Sequence, residues 1–263
     1  MKIALIGGGA MGEAIAQCLL MKKVAVPDGM VVSDISPVRR ELFNRDYGVS
    51  ALADNREAVK NADLIILAVK PQNLPQVMDE IKGFASKQLV LSIVAGAALS
   101  SLCHGLDHSS VVRAMPNMPA QIGEGMTIWT ATTETDQRQK KLAQTVLGAL
   151  GKEIYVADEK YLNMATALSG SGPAYVFLFI EALVDAGVHI GLPRDMAQAL
   201  VIQTVLGSTR TVEKTGKHPA DLRNMVTSPG GTTTEALLQL EKGRFRSLLL
   251  EAVAAAYEKA ERL

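Results

Sequence analysis

A glycine-rich segment near the start of the chain has the spacing of a phosphate-binding turn. Residues 7–12 read GGGAMG, which fits GxGxxG directly after an aliphatic run and directly before a helical pattern. In that context the first glycine permits a tight turn, the second admits a pyrophosphate close to the backbone, and the third lets helix and strand pack closely. Such a turn can be purely structural, but its place between strand and helix favours a dinucleotide. The residues predicted to bind it are Ile6, Gly7, Gly8, Gly9, Ala10, Met11 and Gly12.

The residues after the second predicted strand, where a Rossmann domain binds the adenosine ribose, favour two different cofactors. Asp34 lies about 20 residues beyond the glycine turn, where a carboxylate binds the ribose 2′-hydroxyl of NAD. Ser33, Ser36, Arg39 and Arg40 offer instead hydroxyls and positive charge that suit the 2′-phosphate of NADP. The two arginines are equally compatible with a solvated helix face. The residue types therefore leave the choice of cofactor open at this point.

The second half of the chain lacks the base that a hydroxy-acid dehydrogenase needs. No lysine occurs between Lys160 and Lys214, and the histidine of that interval, His189, lies in a GVHIG segment typical of a helix end. Removing a hydroxyl proton requires a positioned base near the nicotinamide. A C=N bond differs, because as an iminium it already carries positive charge and accepts hydride without a strong protein acid. The pattern therefore favours an imine substrate.

Two segments rich in glycine and hydroxyl groups precede helical patterns in this half. Residues 226–235 read VTSPGGTTTE, and residues 169–175 read SGSGPAY. Backbone N–H groups at such a helix start, with the positive end of the helix dipole, can hold a carboxylate. The hydroxyl groups can equally serve as an elaborate helix cap. Two such helix starts exceed what packing needs, which indicates close approach by a ligand, a second chain or both.

The hydrophobic pattern divides the chain into an α/β part and an all-helical part. Up to residue 157, short aliphatic runs alternate with amphipathic stretches, which predicts an N-terminal Rossmann-like, doubly wound and mostly parallel sheet over 1–157. The strand signal then disappears, and 158–263 is predicted to be all-α. Glycines are predicted to end its helices at Gly187, Gly191, Gly216 and Gly243.

Composition narrows the class of partner. The chain has 263 residues, 48% of them hydrophobic, and equal numbers of basic and acidic residues, 27 each, so no net field attracts nucleic acid or an anionic membrane. Cys18 and Cys103 stand far apart, and no His or Cys cluster has metal-ligand spacing, so we expect neither a disulfide framework nor a metal site. Residues 168–183 are apolar but are expected to be interrupted by Gly170, Gly172 and Pro173, and no leader pattern opens the chain. We expect a cytoplasmic protein with a small-molecule substrate and no membrane segment.

Along essentially its whole length the chain resembles the pyrroline-5-carboxylate reductase family. Four segments carry the resemblance: IGGGAMGEAIA at 6–16, AVKPQ at 68–72, SGSGPAYVF at 169–177, and DLRNMVTSPGGTTTEALLQLE at 221–241. The last segment is the specific one. A dinucleotide fingerprint occurs in many families, whereas TSPGGTT before a C-terminal helix is diagnostic of this one.

The resemblance implies reduction of 1-pyrroline-5-carboxylate to L-proline with NADPH, or with NADH as the alternative. It places Asn55 beside the adenosine ribose and the loop Ala68, Val69, Lys70 and Pro71 near the nicotinamide. It favours function over capping for the 226–235 segment and makes Thr233 the catalytic residue, nearest the ring nitrogen. The substrate-binding residues implied are Ser228, Gly230, Gly231, Thr232 and Thr233.

The resemblance also implies an assembly and one departure. Residues 158–263 are expected to bind substrate and to join two chains into a homodimer, and some members stack dimers into decamers. Asp34 departs from the pattern, because an NADPH-preferring member more comfortably carries a neutral residue there. Family precedent outweighs one carboxylate, so NADP is the expected cofactor, with Asp34, Ser36 and Arg39 among the residues around it.

Two rival functions predict other residues. A β-hydroxyacid dehydrogenase of similar build needs an active-site lysine after the glycine-rich segment, where this chain has Tyr175, Val176 and Phe177. A non-catalytic dinucleotide-binding or redox-sensing protein would keep the GxGxxG turn but would not need the TSPGG loop. Turnover of NADPH with pyrroline-5-carboxylate separates the last alternative from the enzyme.

Overall fold

One sheet forms the core of the N-terminal part. The computed structural model describes residues 1–84 and 87–262. Its strands are β1 (Ile3–Ile6), β2 (Met30–Ser33), β3 (Ser50–Leu52), β4 (Leu64–Leu67), β5 (Leu89–Ser92), β6 (Val111–Met115), β7 (Gly125–Ala131) and β8 (Gly151–Tyr155). Their order across the sheet is β3-β2-β1-β4-β5-β6-β7-β8. Neighbouring strands are parallel except β6 and β7, which confirms the mostly parallel sheet.

Helices cover both faces of the sheet and form the C-terminal part. They are α1 (Ala10–Met21), α2 (Pro37–Asp46), α3 (Asn55–Val59), α4 (Leu74–Ile81), α5 (Leu99–Leu106), α6 (Gln137–Gly148), α7 (Lys160–Ala165), α8 (Gly172–His189), α9 (Arg194–Thr215), α10 (Pro219–Met225), α11 (Thr232–Lys242) and α12 (Phe245–Ala260). The start of α6 shows how the sequence sets a boundary. Asp136 accepts the N–H of Gln139 at 2.7 Å, and the Gln139 side chain accepts the N–H of Asp136 at 3.0 Å.

Alternate residues of β1 face two separate hydrophobic clusters. Ile3 and Leu5 pack into a cluster with α1, α2 and α6, whereas Ala4 and Ile6 pack into a second cluster with α3, α4 and α5. Each fully buried Ile or Leu stabilises the fold by roughly 1.5–3 kcal/mol. Because both faces of the strand are covered, the aliphatic run without polar alternation is explained, and the doubly wound architecture is confirmed.

The topology fixes where a ligand can bind. β1 lies between β2 and β4, and the chain leaves β1 toward β2 but continues from β4 toward β5 on the other side. In an open parallel sheet the crevice at the carboxyl ends of the strands opens where the strand order reverses. The turn after β1 and the loop after β4 lie at that point.

Three short elements and one strand direction are not evident in the sequence pattern. The three-residue edge strand β3, and the short helices α5 and α10, contain too few residues to show a hydrophobic period. β7 is antiparallel to β6 because the nine-residue connection 116–124, which contains a single 3₁₀ turn at Met118–Ile122, is too short for a parallel crossover.

The C-terminal helices include one glycine whose role differs from the prediction. Gly187 does not end a helix, because α8 continues to His189. A methyl group at Gly187 would lie 2.9 Å from the Cβ of Ala197 in α9. The glycine therefore allows close packing of α8 against α9.

The interruption expected at Gly170–Pro173 is also wrong. α7 passes into α8 through a π-helical turn at Thr166–Gly170, in which Ser171 N–H donates to the Thr166 carbonyl at 2.8 Å. Pro173 lies in the first turn of α8, where a missing N–H is tolerated. The run Lys160–His189 contains an 18-residue window with mean hydropathy 1.5, of which 11% is buried, and thus has the length and composition of a membrane-spanning helix. Helices buried in non-membrane proteins pass the same test, so this segment alone is weak evidence for a membrane.

Contacts divide the chain into two compact units. The first contains Met1–Ser171 and the C-terminal end from Ala256, and the second, here called the helical unit, contains Gly172–Ala255. The functional division at 157/158 concerns the roles of the residues and stays a prediction.

Candidate functional site

The glycine turn has a backbone that side chains would not permit. Gly7 has φ +103°, and a Cβ there would lie 2.6 Å from the carbonyl oxygen of Ala68. A Cβ on Gly12 would collide with the Gly7 carbonyl oxygen. Both positions therefore require glycine, one for its φ angle and for the approach of β4, the other for the close packing of α1 on the turn.

The third glycine faces open space at the start of α1. Gly9 occupies the N-cap position, has no side chain to cap the helix, and would place a Cβ where no atom of the described chain lies within 4 Å. The first N–H groups of a helix have no intrahelical partner, and the helix dipole adds positive potential. This open, uncapped helix start fits the pyrophosphate of a dinucleotide.

Asp34 is turned toward the glycine turn. Its Oδ2 accepts the N–H of Gly8 at 2.8 Å, and its Oδ1 accepts the N–H of Ser36 at 2.8 Å. Both carboxylate oxygens thus have backbone donors. The side chain expected to bind the ribose is therefore also the link between the glycine turn and the start of α2.

The two adjacent arginines make different contacts. Arg39 donates from Nε to the Gly8 carbonyl at 2.5 Å and from Nη2 to Glu13 at 2.6 Å. Arg40 donates from Nη1 to the carbonyls of Asp34 at 2.7 Å and Ile35 at 2.9 Å, and forms no ion pair with any residue the structure describes. Arg39 is thus tied to the glycine turn and to α1, whereas no carboxylate in the described part of the chain neutralises the charge of Arg40.

Glu13 and Tyr47 complete this network, and neither residue was identified from the sequence pattern. Tyr47 donates its hydroxyl proton to Glu13 at 2.8 Å. Burial and the hydrogen bond to Glu13 raise the pKa of Tyr47 to about 12. Burial alone would raise the pKa of Glu13, but the hydrogen bonds from Arg39 and Tyr47 prevail and lower it below its usual value. Glu13 is therefore ionised and holds Arg39 in place.

The loop after β4 lies directly against the glycine turn. Ala68 N–H donates to the Ile6 carbonyl at 2.8 Å, and a 3₁₀ turn at Pro71–Asn73 follows, closed by Asn73 N–H on the Lys70 carbonyl at 2.9 Å. Val69 is half-buried and Lys70 is exposed. The structure thus brings together three of the predicted cofactor segments, around Gly7–Gly12, Asp34 and Ala68–Pro71. Asn55 begins α3 and donates from Nδ2 to Glu80 at 2.7 Å.

In the helical unit, the predicted substrate loop forms the start of α11. Gly230 has φ +67°, Gly231 is the N-cap, and a Cβ at Gly231 would collide with the Ser228 hydroxyl. Thr234 donates to the Ser228 carbonyl at 2.9 Å and so closes the loop. The hydroxyls of Thr232 and Thr233 make no hydrogen bond to any described residue, so they remain available to a ligand.

The segment at 169–175 has a structural explanation of its own. Asn117, in the loop after β6, donates from Nδ2 to the Ser169 carbonyl at 3.1 Å and accepts the N–H of Met126 at 2.8 Å. Gly170 lies close to Met115, since a Cβ there would be 3.2 Å from the Met115 Cε. The glycine lets the π-helical turn approach β6.

The residues that the structure describes include no group of three His, Cys, Asp or Glu side chains arranged to hold a metal ion. Cys18 and Cys103 are free thiols. Burial raises the pKa of both, which makes them poor nucleophiles at neutral pH.

Two family models match the chain. Residues 2–96 match the model described as NADP oxidoreductase coenzyme F420-dependent, and residues 159–263 match the model described as pyrroline-5-carboxylate reductase dimerisation. The first match contains the glycine turn, Asp34 and Ala68–Pro71, and the second contains the predicted substrate loop.

Similar proteins match over their full length. The chain is 42% identical to a pyrroline-5-carboxylate reductase of Synechocystis over 262 residues, covering 100% of this chain and 98% of the relative. It is 41% identical to the Arabidopsis thaliana enzyme, covering 100% and 95%. Among solved structures, the enzyme of Coxiella burnetii has TM-score 0.91 and 38% identity over 99% of this chain and 97% of that one. The Plasmodium falciparum enzyme, solved with NADP bound, has TM-score 0.92 and 33% identity over 100% and 97%.

Proposed function

Because the chain belongs to the pyrroline-5-carboxylate reductase family, we propose an assignment of its cofactor and substrate sites to named residues. The chain reduces the C=N bond of 1-pyrroline-5-carboxylate by hydride transfer from a reduced nicotinamide dinucleotide and gives L-proline, in the last step of proline biosynthesis. The observation that carries the assignment is the pair of uncapped, glycine-led helix starts, one in each unit.

The cofactor proposed for this chain is NADP(H), with NAD(H) as the alternative. Support comes from the NADP oxidoreductase model over residues 2–96 and from the Plasmodium falciparum relative, which was solved with NADP bound. Positive charge near the expected ribose site, on Arg40, agrees with a 2′-phosphate. The carboxylate of Asp34 accepts two backbone N–H groups, so it has a role within the protein besides any contact with the ribose.

The glycine turn binds the pyrophosphate in this proposal. The N–H groups of Gly9, Ala10 and Met11 lie at the uncapped start of α1, and Gly12 allows the helix to approach. Ile6, Gly7 and Gly8 shape the turn itself. Ala68, Val69, Lys70 and Pro71 lie toward the nicotinamide, while Asp34, Ser36, Arg39 and Asn55 belong to the adenosine end.

The substrate carboxylate is assigned to the start of α11. The backbone N–H groups of Thr232 and Thr233, in the first turn of α11, and the hydroxyls of Ser228 and Thr232 supply donors, and the helix dipole favours the anion. The Thr233 hydroxyl can donate or accept, so it can orient the imine nitrogen or bond the amine that forms. Its high pKa makes it a poor acid, so the proton on nitrogen comes from solvent before hydride transfer.

We also assign the exposed apolar surface of the helical unit to a second copy of the chain. Phe177, Leu178 and Ile202 are 52%, 66% and 46% exposed, on the two longest helices of the dimerisation match. Apolar helix faces of this kind require cover. A homodimer supplies that cover, with decamers as a further form, and the free thiols suit the reducing cytoplasm.

Two ligands that each lack one recognition group test the substrate assignment. Cyclopentanecarboxylate keeps the carboxylate without the ring nitrogen, and pyrrolidine keeps the nitrogen without the carboxylate. In steady-state assays of NADPH oxidation, we expect cyclopentanecarboxylate to compete with pyrroline-5-carboxylate and pyrrolidine to compete at least about tenfold more weakly. Equal inhibition by both would contradict the carboxylate site at α11.

A further inference from the structure

The peptide groups on either side of Gly8 are held by two side chains from the segment after β2. Asp34 accepts the Gly8 N–H at 2.8 Å, and Arg39 donates to the Gly8 carbonyl at 2.5 Å. We infer that Asp34 and Arg39 are positioning residues for the glycine turn, and that Arg40 is the residue that meets the 2′-phosphate of the dinucleotide. The inference rests on the dinucleotide site proposed above.

The glycine turn needs such support because its own residues provide little. Three successive glycines have many accessible conformations in the unfolded chain, so fixing them costs more conformational entropy than fixing other residues. Hydrogen bonds to a charged carboxylate and a charged guanidinium are stronger than neutral ones and offset part of this cost. Gly8 also lies against Phe43, since a Cβ there would be 2.7 Å from the Phe43 ring.

The charge of Arg39 is already neutralised within the protein. Glu13 accepts from Arg39 at 2.6 Å, and Tyr47 donates to the other oxygen of Glu13 at 2.8 Å. The Arg39 guanidinium carbon lies 5.7 Å from the centre of the Phe43 ring, and the side chain is 26% exposed. A 2′-phosphate that recruited Arg39 would have to compete with both Glu13 and the Gly8 carbonyl.

Arg40 is in the opposite situation. Its Nη1 is fixed by the carbonyls of Asp34 and Ile35, which holds the guanidinium beside the turn after β2. No carboxylate of the described chain pairs with it. From the sequence alone, Arg39 and Arg40 are equally suited to bind the 2′-phosphate. Their contacts in the structure distinguish them.

The test measures dissociation constants of NADPH and NADH separately, by fluorescence titration of the purified protein. Asp34→Glu keeps the charge, and a glutamate at this position can still bind a ribose hydroxyl. Its longer side chain, however, no longer fits the Gly8 and Ser36 N–H groups. We expect Asp34→Glu and Arg39→Met to weaken both cofactors by similar factors, about 5- to 20-fold, and to leave the NADPH-to-NADH preference within about twofold.

Arg40→Met is expected to behave differently. It should weaken NADPH about 10- to 100-fold and change NADH by less than about twofold, because it removes one charge-assisted phosphate contact. Arg45→Met is the matched control, since Arg45 lies on the same helix, carries the same charge and is 69% exposed. It should change neither constant.

The inference is overturned if Arg39→Met weakens NADPH alone, or if Asp34→Glu changes the preference tenfold or more. A cooperative thermal unfolding transition like that of the wild type, measured for both positioning variants, separates a displaced turn from a misfolded protein. If Asp34→Glu fails to fold, the dissociation constants of Arg39→Met and Arg40→Met still decide which arginine binds the 2′-phosphate. A wild-type preference for NADH would refute the proposed cofactor, yet the ratios among variants would still report on positioning.

Discussion

Arg113 donates to Glu159 at 2.7 Å, and this ion pair joins β6 to the residue that precedes α7. The Arg113 side chain is 8% exposed and also donates to Asn163 at 2.9 Å, while the Glu159 oxygen that it contacts accepts the Leu99 N–H as well. The pair therefore fixes β6, α5 and α7 relative to one another within the first unit.

Removing Glu159 should destabilise the protein, because the guanidinium of Arg113 would lose its charged partner while it stays buried. We expect Glu159→Ala to lower the free energy of unfolding by about 2–4 kcal/mol, somewhat less than for a fully buried pair, since Glu159 is 31% exposed. Urea unfolding measures the change. Lys160→Met, which breaks the neighbouring exposed pair with Asp158, should cost less than about 1 kcal/mol. Equal losses in the two variants would contradict the role given to Arg113.

Thr233 offers a test of substrate orientation. Thr233→Val keeps the side-chain shape and removes the hydroxyl, so kcat/KM for pyrroline-5-carboxylate should fall about 10- to 100-fold, the effect of one hydrogen bond worth roughly 1.5–3 kcal/mol. Binding of NADPH should hardly change. Thr209→Val, in an exposed position on α9, is the control and should leave both quantities unaltered. Wild-type kinetics in Thr233→Val would mean that the loop binds substrate through its backbone alone.

Cofactor preference follows from the charges around the ribose site. Arg40 has no ionic partner among the described residues, and each carboxylate oxygen of Asp34 accepts one backbone N–H group. We therefore expect a lower KM for NADPH than for NADH in assays with saturating pyrroline-5-carboxylate. Equal or reversed KM values would show that Asp34 acts on the ribose in spite of these contacts.

The assembly can be tested by a charge on the exposed apolar surface. Phe177, Ile202 and Arg194 border a cavity of about 470 Å³ between α8 and α9. We expect the wild type to sediment as a dimer or larger, and Phe177→Asp to shift the equilibrium toward monomer. Ile122→Asp, at an apolar residue of the first unit that is 74% exposed, is the control. A stable, active wild-type monomer at micromolar concentration would rule out the proposed homodimer.

The hydrogen bond between Tyr47 and Glu13 predicts a change in stability at high pH. Burial and the contact with Glu13 raise the pKa of Tyr47 from 10.0 to about 12, so the folded state retains a proton that the unfolded state has lost. The resulting stabilisation is complete below pH 10 and disappears between pH 10 and about 12. After allowance for solvent screening, we expect this loss to be roughly 1–2 kcal/mol.

Comparison of the wild type with Tyr47→Phe isolates this effect from other alkaline titrations. The difference in unfolding free energy between the two proteins should shrink as pH rises through that interval. A difference that stays constant with pH would mean that Tyr47 keeps its ordinary pKa.

The sequence predicted those features that rest on a local pattern. The aliphatic runs of β1 and β4 are strands with both faces buried, and the GxGxxG spacing lies between β1 and α1 as its chemistry requires. Gly7 and Gly12 have the close backbone contacts that the pattern implies. The Gly12 contact lies within the motif, and the Gly7 contact comes from the segment after β4, the strand that pairs with β1.

Features that depend on distant partners were not predictable. Glu13 and Tyr47 are 34 positions apart, and neither residue type indicates in the sequence that the two share a hydrogen bond. The same limit explains why Arg39 and Arg40 could not be distinguished, since their partners lie on different segments. Gly170 to Pro173 suggested a break because helix propensity is a local quantity, whereas a π-helical turn and contact with Met115 allow the helix to continue.

The helical unit has few buried apolar side chains, and this has a consequence for the stability of the protein at low concentration. Among residues 172–255, all of which the structure describes, Val184 and Ala197 are the buried hydrophobic side chains. In the proposed homodimer, a unit with so little enclosed apolar surface would draw its stability from association, so folding and assembly would become one equilibrium governed by mass action. The midpoint of thermal unfolding should then rise with protein concentration, and dilution by itself should act as a denaturant.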